Sequence, residues 1–448
     1  MNPSNENVVA APIAESERLQ TLDVLRGVAL FGILLMNITG FGLPFAYSDP
    51  TNYGGATGAN LWAWITTMMV FEGTQRGLFS ILFGAGFVAL ATRRESAGSA
   101  DAADLHYRRM MLMVVFGMIH SYLLLWRGEI LFFYGMVGLF LFPLRKLSTK
   151  VLLIVATVGF AISAVWTQGE RLAAITKHDK FVAAEAVKAA GGKLAKAQEG
   201  EISAWQDALA EAKPDAEKIQ KNIDAHQGSY LDLVAYQAPG TANWESWQFY
   251  RHFFDYFSMM LIGMALFRGG VLTLAREPRL YWLMLVIGYT VGLTVNYWET
   301  RTVIDSGFAV LAFLQTKVTY DLGRVAMTMG HLGLLLLFCR SGYLSGLRNS
   351  LAAVGRMAFT NYISHSLICA VLFSGFGLGL YGKLERHQLY YVVFSIWLFQ
   401  LLVSPIWLRH YLFGPLEWGW RSLTYVKKQP FRRHPVAELV PSVSVSNG

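Results

Sequence analysis

Long apolar runs, separated by short polar connections, recur along the chain from Leu22 to about Leu408. A helix rises about 1.5 Å per residue, so roughly 20 apolar residues are needed to cross the ~30 Å hydrocarbon layer of a bilayer. Ten stretches approach that requirement: Leu22 to Leu43, Ala59 to Ala91, Arg109 to Trp126, Glu129 to Leu144, Val151 to Trp166, Phe249 to Phe267, Leu280 to Tyr297, Leu322 to Cys339, Val354 to Phe373 and Leu389 to Leu408. The second should open with an interfacial or re-entrant turn around Trp62 and Trp64, because indole rings favour the headgroup level. The pattern predicts an all-α fold, a polytopic transmembrane helical bundle of about ten spans.

One segment breaks the pattern. From Gln168 to Glu245 the chain is polar and rich in Ala, Lys, Glu and Asp, with Gly191, Gly192 and Pro214 as interruptions. Good helix formers dominate it, so it reads as a helical insertion outside the membrane, either a solvated cap or a lid that gates substrate. The resulting organisation is a tail (1–21), an N-terminal membrane half (22–167), the insertion (168–245), a C-terminal membrane half (246–408), and an interfacial helix with a basic tail (409–448).

Composition agrees with a membrane solvent. Hydrophobic residues make up 54% and charged residues only 15% of the chain, an excess of apolar groups over an ordinary soluble domain. Charge also orients it. Arg93, Arg94 and Arg108 follow the second span, Arg145, Lys146 and Lys150 the fourth, Arg268, Arg276 and Arg279 the sixth, and Arg340 and Arg348 the eighth, whereas residues 44–58 contain no Lys or Arg. Alternate loops share one side of a membrane, so both termini are expected in the cytoplasm and the insertion outside it. The net charge of +8 follows from this topology and from attraction to anionic lipid, which leaves no call for a nucleic-acid partner. Cys339 and Cys369 lie singly in apolar spans and suggest neither a disulfide framework nor a metal site. The first apolar run is too long for a signal-peptide core and is expected to stay attached.

Ionisable and amide groups inside apolar spans mark candidate chemistry, because each costs several kcal/mol in hydrocarbon, roughly 2.5 to 3.5 for Arg, Lys or Asp on insertion scales. Asp23, Arg26 and Asn37 occupy the first span. Asp23 could simply cap the helix and Arg26 could reach for headgroups, but an amide as deep as Asn37 calls for a neighbouring helix or a substrate. Glu72 and Arg76 stand one turn apart in the second span, with the acid first, and are expected either to form an intrahelical ion pair or to leave Glu72 as a general base. In the ninth span Thr360 and Ser364 share one stripe, and Asn361 and His365 the next, so that face meets other helices or water. His120 lies in the outer half of the third span, and Arg127-Gly128 is a tight turn leading back to Glu129. An imidazole titrates near neutrality, so His120 is the natural proton-transfer group. No metal-binding spacing accompanies any of the histidines, and no metal is expected.

The ordered motifs RLQTLDVLRGVALFGILLMN, FEGTQRGLFSILFGAGF, FGMIHSYLLLWRGEILFFYG, GRMAFTNYISHSLICAVLFSGFGLGLYGKL and LFGPLEWGWRSLTY resemble the YeiB family of bacterial polytopic membrane proteins, a domain of unknown function, over Arg18 to Pro430. The family pattern has Lys near Thr74 and Gln at His365, so the role of His365 does not carry over. The opening motif is in turn similar to that of transmembrane acyltransferases such as the lysosomal heparan glucosaminide N-acetyltransferase. That second resemblance implies transfer of an acyl group from a cytoplasmic acyl-CoA co-substrate to a hydroxyl or amine at the other face of a bacterial inner membrane. The roles assigned on this basis place coenzyme A phosphates on Arg93, Arg94, Arg108 and Arg109 together with Arg26, since guanidinium forks suit phosphate oxygens. His120 then serves as base or acyl carrier, oriented by Glu72 or Glu129, and Asn37 or Asn361 donates to the oxyanion, with Asp23, Arg26, Arg76 and His365 lining the substrate site. The expected partners are membrane lipids and a small-molecule or envelope glycan acceptor, with a homodimer left open. The rival class is a proton-coupled transporter or exporter, for which a cavity lined by Glu72, Arg76, His120, Asn361 and His365 would serve equally.

Overall fold

The computed structural model describes residues 19–96 and 101–433; most of the N-terminal tail and the end of the basic tail lie outside the described residues. It is helical throughout, and the isolated bridge between Tyr411 and Arg432 is the one strand-like pairing among the described residues. The first half contains α1 (Gln20–Gly42), α2 (Gly58–Thr66), α3 (Thr74–Ser96), α4 (Ala102–Tyr122), α5 (Leu131–Gly138), the single turn α6 (Leu141–Leu144) and α7 (Thr149–Ala189). Three helices, α8 (Lys196–Ala212), α9 (Ala216–Gln227) and α10 (Tyr230–Asn243), follow in the polar segment. The second half contains α11 (Phe249–Arg268), α12 (Pro278–Asp305), α13 (Val310–Thr316), α14 (Tyr320–Ser341), α15 (Ser345–Arg356), α16 (Ala358–Phe373), α17 (Arg386–His410) and α18 (Pro415–Tyr425).

Six helical stretches are long and apolar enough to cross a membrane: 20–42, 58–96, 149–189, 278–305, 320–341 and 386–410. The chain is therefore a multi-pass, all-helical membrane protein. The other four expected spans fall on shorter or more polar helices. Residues 129–144 in particular do not form one helix, because the ladder stops at Gly138 and resumes only for the single turn Leu141–Leu144, which contains Pro143, and the eight residues of α5 rise only about 12 Å. The fifth span, expected to end at Trp166, instead runs unbroken to Ala189, starting from the Ser148 hydroxyl that accepts from the Val151 N–H.

Helix α1 forms the axis of the bundle. Val24, Leu25, Ala29, Leu30, Leu34 and Ile38 are fully buried around its circumference. The outer helices show the opposite pattern: α7 exposes Ile154, Val158 and Val165, α12 exposes Trp282, Val286 and Ile287, and α17 exposes Phe394, Leu398 and Leu402. An apolar exterior is what hydrocarbon requires and water penalises. Packing among the inner helices depends on small residues. A Cβ at Gly84 would come 1.9 Å from the Met260 carbonyl oxygen, and one at Gly263 would come 2.0 Å from that of Ile81, so α3 and α11 meet backbone to backbone.

The polar segment folds down over the end of the bundle that carries His120. Lys213 pairs with Asp49 and donates to Thr51, and the Asn52 amide donates to the Ala212 carbonyl. The Tyr381 hydroxyl donates to Asn222, the Gly375 N–H to the His226 carbonyl, and the Tyr230 hydroxyl to the Leu123 carbonyl. Helices α9 and α10 begin at Asp215 and Ser229, whose side chains accept N–H groups of the following turn.

Candidate functional site

A cavity of about 500 Å³ opens among α1, α3, α4, α16 and α18. One end is cationic: Arg26, Arg93, Arg109, Arg356 and Arg421 line it against two carboxylates, Asp23 and Glu417. Gly86 makes room for this end, since a Cβ there would come 3.0 Å from Arg26 Nη2. Several of these groups are held in place by neighbours. Arg26 donates to Asp23 at 2.8 Å, and the Arg109 guanidinium lies 4.9 Å over the Trp420 ring. Glu417 accepts the backbone N–H groups of Phe359 (2.7 Å) and Thr360 (3.1 Å) and the Thr360 hydroxyl (2.5 Å), which ties α18 to the start of α16. Beyond the arginines the wall becomes apolar, with Phe83, Phe87, Met110, Met113 and Phe116, and it closes at Ile130, Leu131 and Tyr362.

Directly behind that closed end lies a buried polar constellation. His120, the third residue from the end of α4, places Nε2 2.7 Å from the Ser366 hydroxyl of α16. Its Nδ1 lies 3.9 Å from Glu129 Oε2, and both side chains are fully excluded from solvent. Glu129 is held in turn by the N–H groups of Leu131 (2.7 Å) and Phe132 (2.9 Å), the first turn of α5, where a carboxylate is electrostatically favoured. The Tyr362 ring stands edge-on to the imidazole with centroids 5.0 Å apart, and its hydroxyl accepts the Ile130 N–H at 3.3 Å. Tyr362 therefore touches both the cavity and the histidine.

Of the residues singled out from the sequence, Asp23, Arg26, Arg93 and Arg109 reach this cavity, and His120 and Glu129 lie behind it. The others do not converge there. Arg94 pairs with Asp101 at 2.6 Å and Arg108 donates to the Thr424 carbonyl, both outside the lining. Asn361 donates to the Val354 carbonyl and to Ser404, and His365 Nε2 meets the Gln400 side chain at 3.1 Å, so this stripe faces α17 rather than a cavity. Asn37 is half-buried and has no side-chain hydrogen bond among the described residues.

The expected Glu72–Arg76 ion pair is not formed, and Glu72 does not orient His120. A π-helical turn at Thr67–Phe71 and a left-handed Gly73 (φ +69°) end the helix between them, so the i,i+4 relationship is lost. A side chain at Gly73 would also collide with Arg324 and Tyr320. Glu72 instead accepts from the Tyr47 (3.0 Å) and Tyr320 (3.1 Å) hydroxyls. Arg76 turns to Asp255 of α11 (3.3 Å), which also holds Arg324 of α14 (2.6 Å), and Arg324 reaches Asp321 as well (2.8 Å).

Sequence reasoning missed Ser366, Arg356 and Arg421 in and behind the cavity, and Asp255 and Arg324 in the charged network. Asp255 and Arg324 fall inside apolar spans, which was itself a readable signal. Ser366 offered none beyond its place next to His365, because its partner is 246 positions away.

Comparisons with known proteins give the lineage. Residues 266–427 match a family described as a protein of unknown function, DUF418. The chain is 32% identical over 415 residues to the uncharacterized protein YeiB of Escherichia coli (strain K12), covering 91% of this chain and 96% of that protein. It is 30% identical over 451 residues to the uncharacterized protein YxaH of Bacillus subtilis (strain 168), covering 94% and 98% respectively. No solved structure matches it. Identity of this order across nearly the full length of both relatives places the chain in the YeiB family of DUF418 membrane proteins.

Proposed function

We propose that the protein is an acyltransferase of the bacterial inner membrane that takes an acyl group from a cytoplasmic acyl-CoA and passes it to a hydroxyl or amine acceptor of the envelope. The observation that carries this reading is the polarity of the cavity: five arginines at one end, an apolar wall, and a closed end one side chain short of His120. That shape suits a donor with a phosphate-rich head and a long thin arm. Arginine forks bind phosphate oxygens, and about 16 Å separates Arg109 from His120 along α4 at 1.5 Å per residue. On this reading the arginine end faces the cytoplasm, as the Arg-rich loops imply, both termini are inside, and the shorter helices α4, α5, α11 and α16 complete about ten membrane-embedded segments. The polar segment then covers the face where the acceptor arrives. The protein supplies binding through the arginines and proton transfer through His120, a division that separates affinity from turnover.

The test uses purified full-length protein in lipid nanodiscs with acetyl-, octanoyl- and palmitoyl-CoA. Calorimetry measures binding, and free thiol is followed after addition of a bacterial envelope extract. The expected result is binding that weakens with salt and thiol release above that of a His120→Gln control. No binding of any of the three thioesters, with no thiol release above the control, would overturn the reading. A proton-coupled transporter is the second reading, favoured by the buried Arg76–Asp255–Arg324 network, since ionisable groups kept inside a membrane bundle mark substrate and ion pathways.

A further inference from the structure

We infer that Ser366 is a catalytic residue that takes the acyl group covalently, with His120 as its base and Glu129 as the positioning carboxylate. The inference rests on the acyl-transfer reading above. Three observations carry it. Ser366 Oγ lies 2.7 Å from His120 Nε2, the contact a general base needs to remove a hydroxyl proton. The other imidazole nitrogen, Nδ1, makes no hydrogen bond and lies 3.9 Å from Oε2 of Glu129, a carboxylate already fixed by two backbone N–H groups, so the gap must close by about 1 Å for Nδ1–H to donate to it. Hydroxyl, imidazole and acid thus stand in the order of a nucleophile, its base and the group that orients the base, an arrangement recognised by geometry rather than by fold. The third observation is proximity: Tyr362, edge-on to His120, also forms the closed wall of the donor cavity, so one side chain separates the constellation from the cavity and the Tyr362 ring must shift for a thioester to reach Ser366.

The chemistry balances. Ser366 Oγ attacks the thioester carbonyl carbon and forms a C–O bond as its proton moves to His120 Nε2. The C–S bond breaks, and the sulfur takes that proton from His120 and leaves as the free thiol. In the second half the acceptor O–H or N–H gives its proton to His120 Nε2 and attacks the acyl carbon, and Ser366 Oγ leaves and recovers the proton. The Tyr362 hydroxyl accepts the Ile130 N–H and keeps its own hydrogen to donate toward the oxyanion. Splitting the transfer in two lets donor and acceptor use one site at different times, the first from the arginine end and the second from the covered end.

The experiment treats the full-length protein in nanodiscs with an octyl fluorophosphonate, a probe for activated hydroxyls that does not depend on the identity of the donor, and maps the adduct by peptide mass spectrometry. In parallel, free thiol is followed with the three acyl-CoA thioesters. The expected result is an adduct on Ser366, absent in Ser366→Ala and at least about 100-fold slower in His120→Gln, as loss of a general base predicts. Thermal melts verify that both variants fold, and Ser366→Cys, which keeps a nucleophile, supplies a rescue that a purely structural serine would not. Thiol release without an adduct on Ser366, and unchanged in Ser366→Ala, would overturn the covalent route while leaving acyl transfer in place. An adduct on Ser366 with no thioester consumed would support the nucleophile and overturn the donor assignment. Absence of both would overturn both.

Discussion

Asp255 of α11 holds two arginines at once, Arg324 at 2.6 Å and Arg76 at 3.3 Å, and so joins α3, α11 and α14 through one buried carboxylate. Removing the acid takes the carboxylate from Arg76 and leaves the buried Arg324 with Asp321 alone, in a site where breaking a buried pair costs roughly 3 to 5 kcal/mol. Asp255→Ala should therefore lower the melting temperature in detergent far more than Arg76→Gln, which leaves Asp255 with Arg324. Equal losses from the two variants would mean that the network does not share its charge in this way.

Glu72 has a different partner set and a different expected outcome. The Tyr47 hydroxyl donates to one carboxylate oxygen and the Tyr320 hydroxyl to the other; Glu72→Gln keeps one acceptor oxygen and puts an amide NH2 opposite the second hydroxyl, which can rotate to accept from it, so the cost should stay within about 1.5 kcal/mol, the scale of a single neutral hydrogen bond. A loss as large as that of Asp255→Ala in the same melts would restore a direct ionic role for Glu72.

The cationic end of the cavity should govern donor affinity alone. Arg109→Ala and Arg421→Ala each remove one charged contact, worth about 1.5 to 3 kcal/mol, and should raise the Kd for coenzyme A by roughly 10-fold or more. The salt dependence should fall with them, and turnover at saturating donor should change little. Calorimetry at two ionic strengths checks this, and a variant with normal affinity but lost turnover would place the arginines elsewhere in the cycle.

The polar segment carries a pH dependence of known sign. His226 stacks on Tyr381 with centroids 3.9 Å apart, its Nδ1 meets the Asn222 carbonyl at 2.8 Å, and its Nε2 meets the Gln237 amide at 3.2 Å. Burial, with Arg127 acting in the same direction, pulls its pKa from 6.5 down to about 4, against the pull of the Asn222 hydrogen bond. The unfolded chain then binds more protons than the folded one between those values, so docking of α9 and α10 is complete above pH 6.5 and weakens as the pH falls toward 4. Hydrogen exchange of residues 216–243 should rise across that window in wild type and lose the pH step in His226→Gln. A flat wild-type profile would refute the assignment.

How far the sequence reached can be followed residue by residue. The helical class and the membrane setting were readable because periodicity and apolar length are local properties; of the two carboxylates expected near His120, Glu72 and Glu129, the structure brings Glu129, one short turn away in the chain, to 3.9 Å. The Glu72–Arg76 pair failed for the opposite reason: spacing of four assumes an unbroken helix, and Gly73 with its left-handed backbone removes that premise. Contacts such as His120 to Ser366, or Asp255 to Arg324, depend on which helices become neighbours, and no single-chain pattern reports that. Of the arginines, Arg109 reaches the cavity while the adjacent Arg108 does not, a difference of about 100° around one helix that composition does not register.

Helix α7 is continuous for 41 residues, about 60 Å, or twice the depth of a bilayer's hydrocarbon layer. A rod of that length has no break along its course, and it passes to the helices of the polar segment through the turn at Gly191 and Gly192, so any tilt of α7 moves the point from which that segment hangs. A tilt at one end of such a rod is carried as a proportionate swing at the other, so a bilayer of different thickness would displace the anchor of the polar segment.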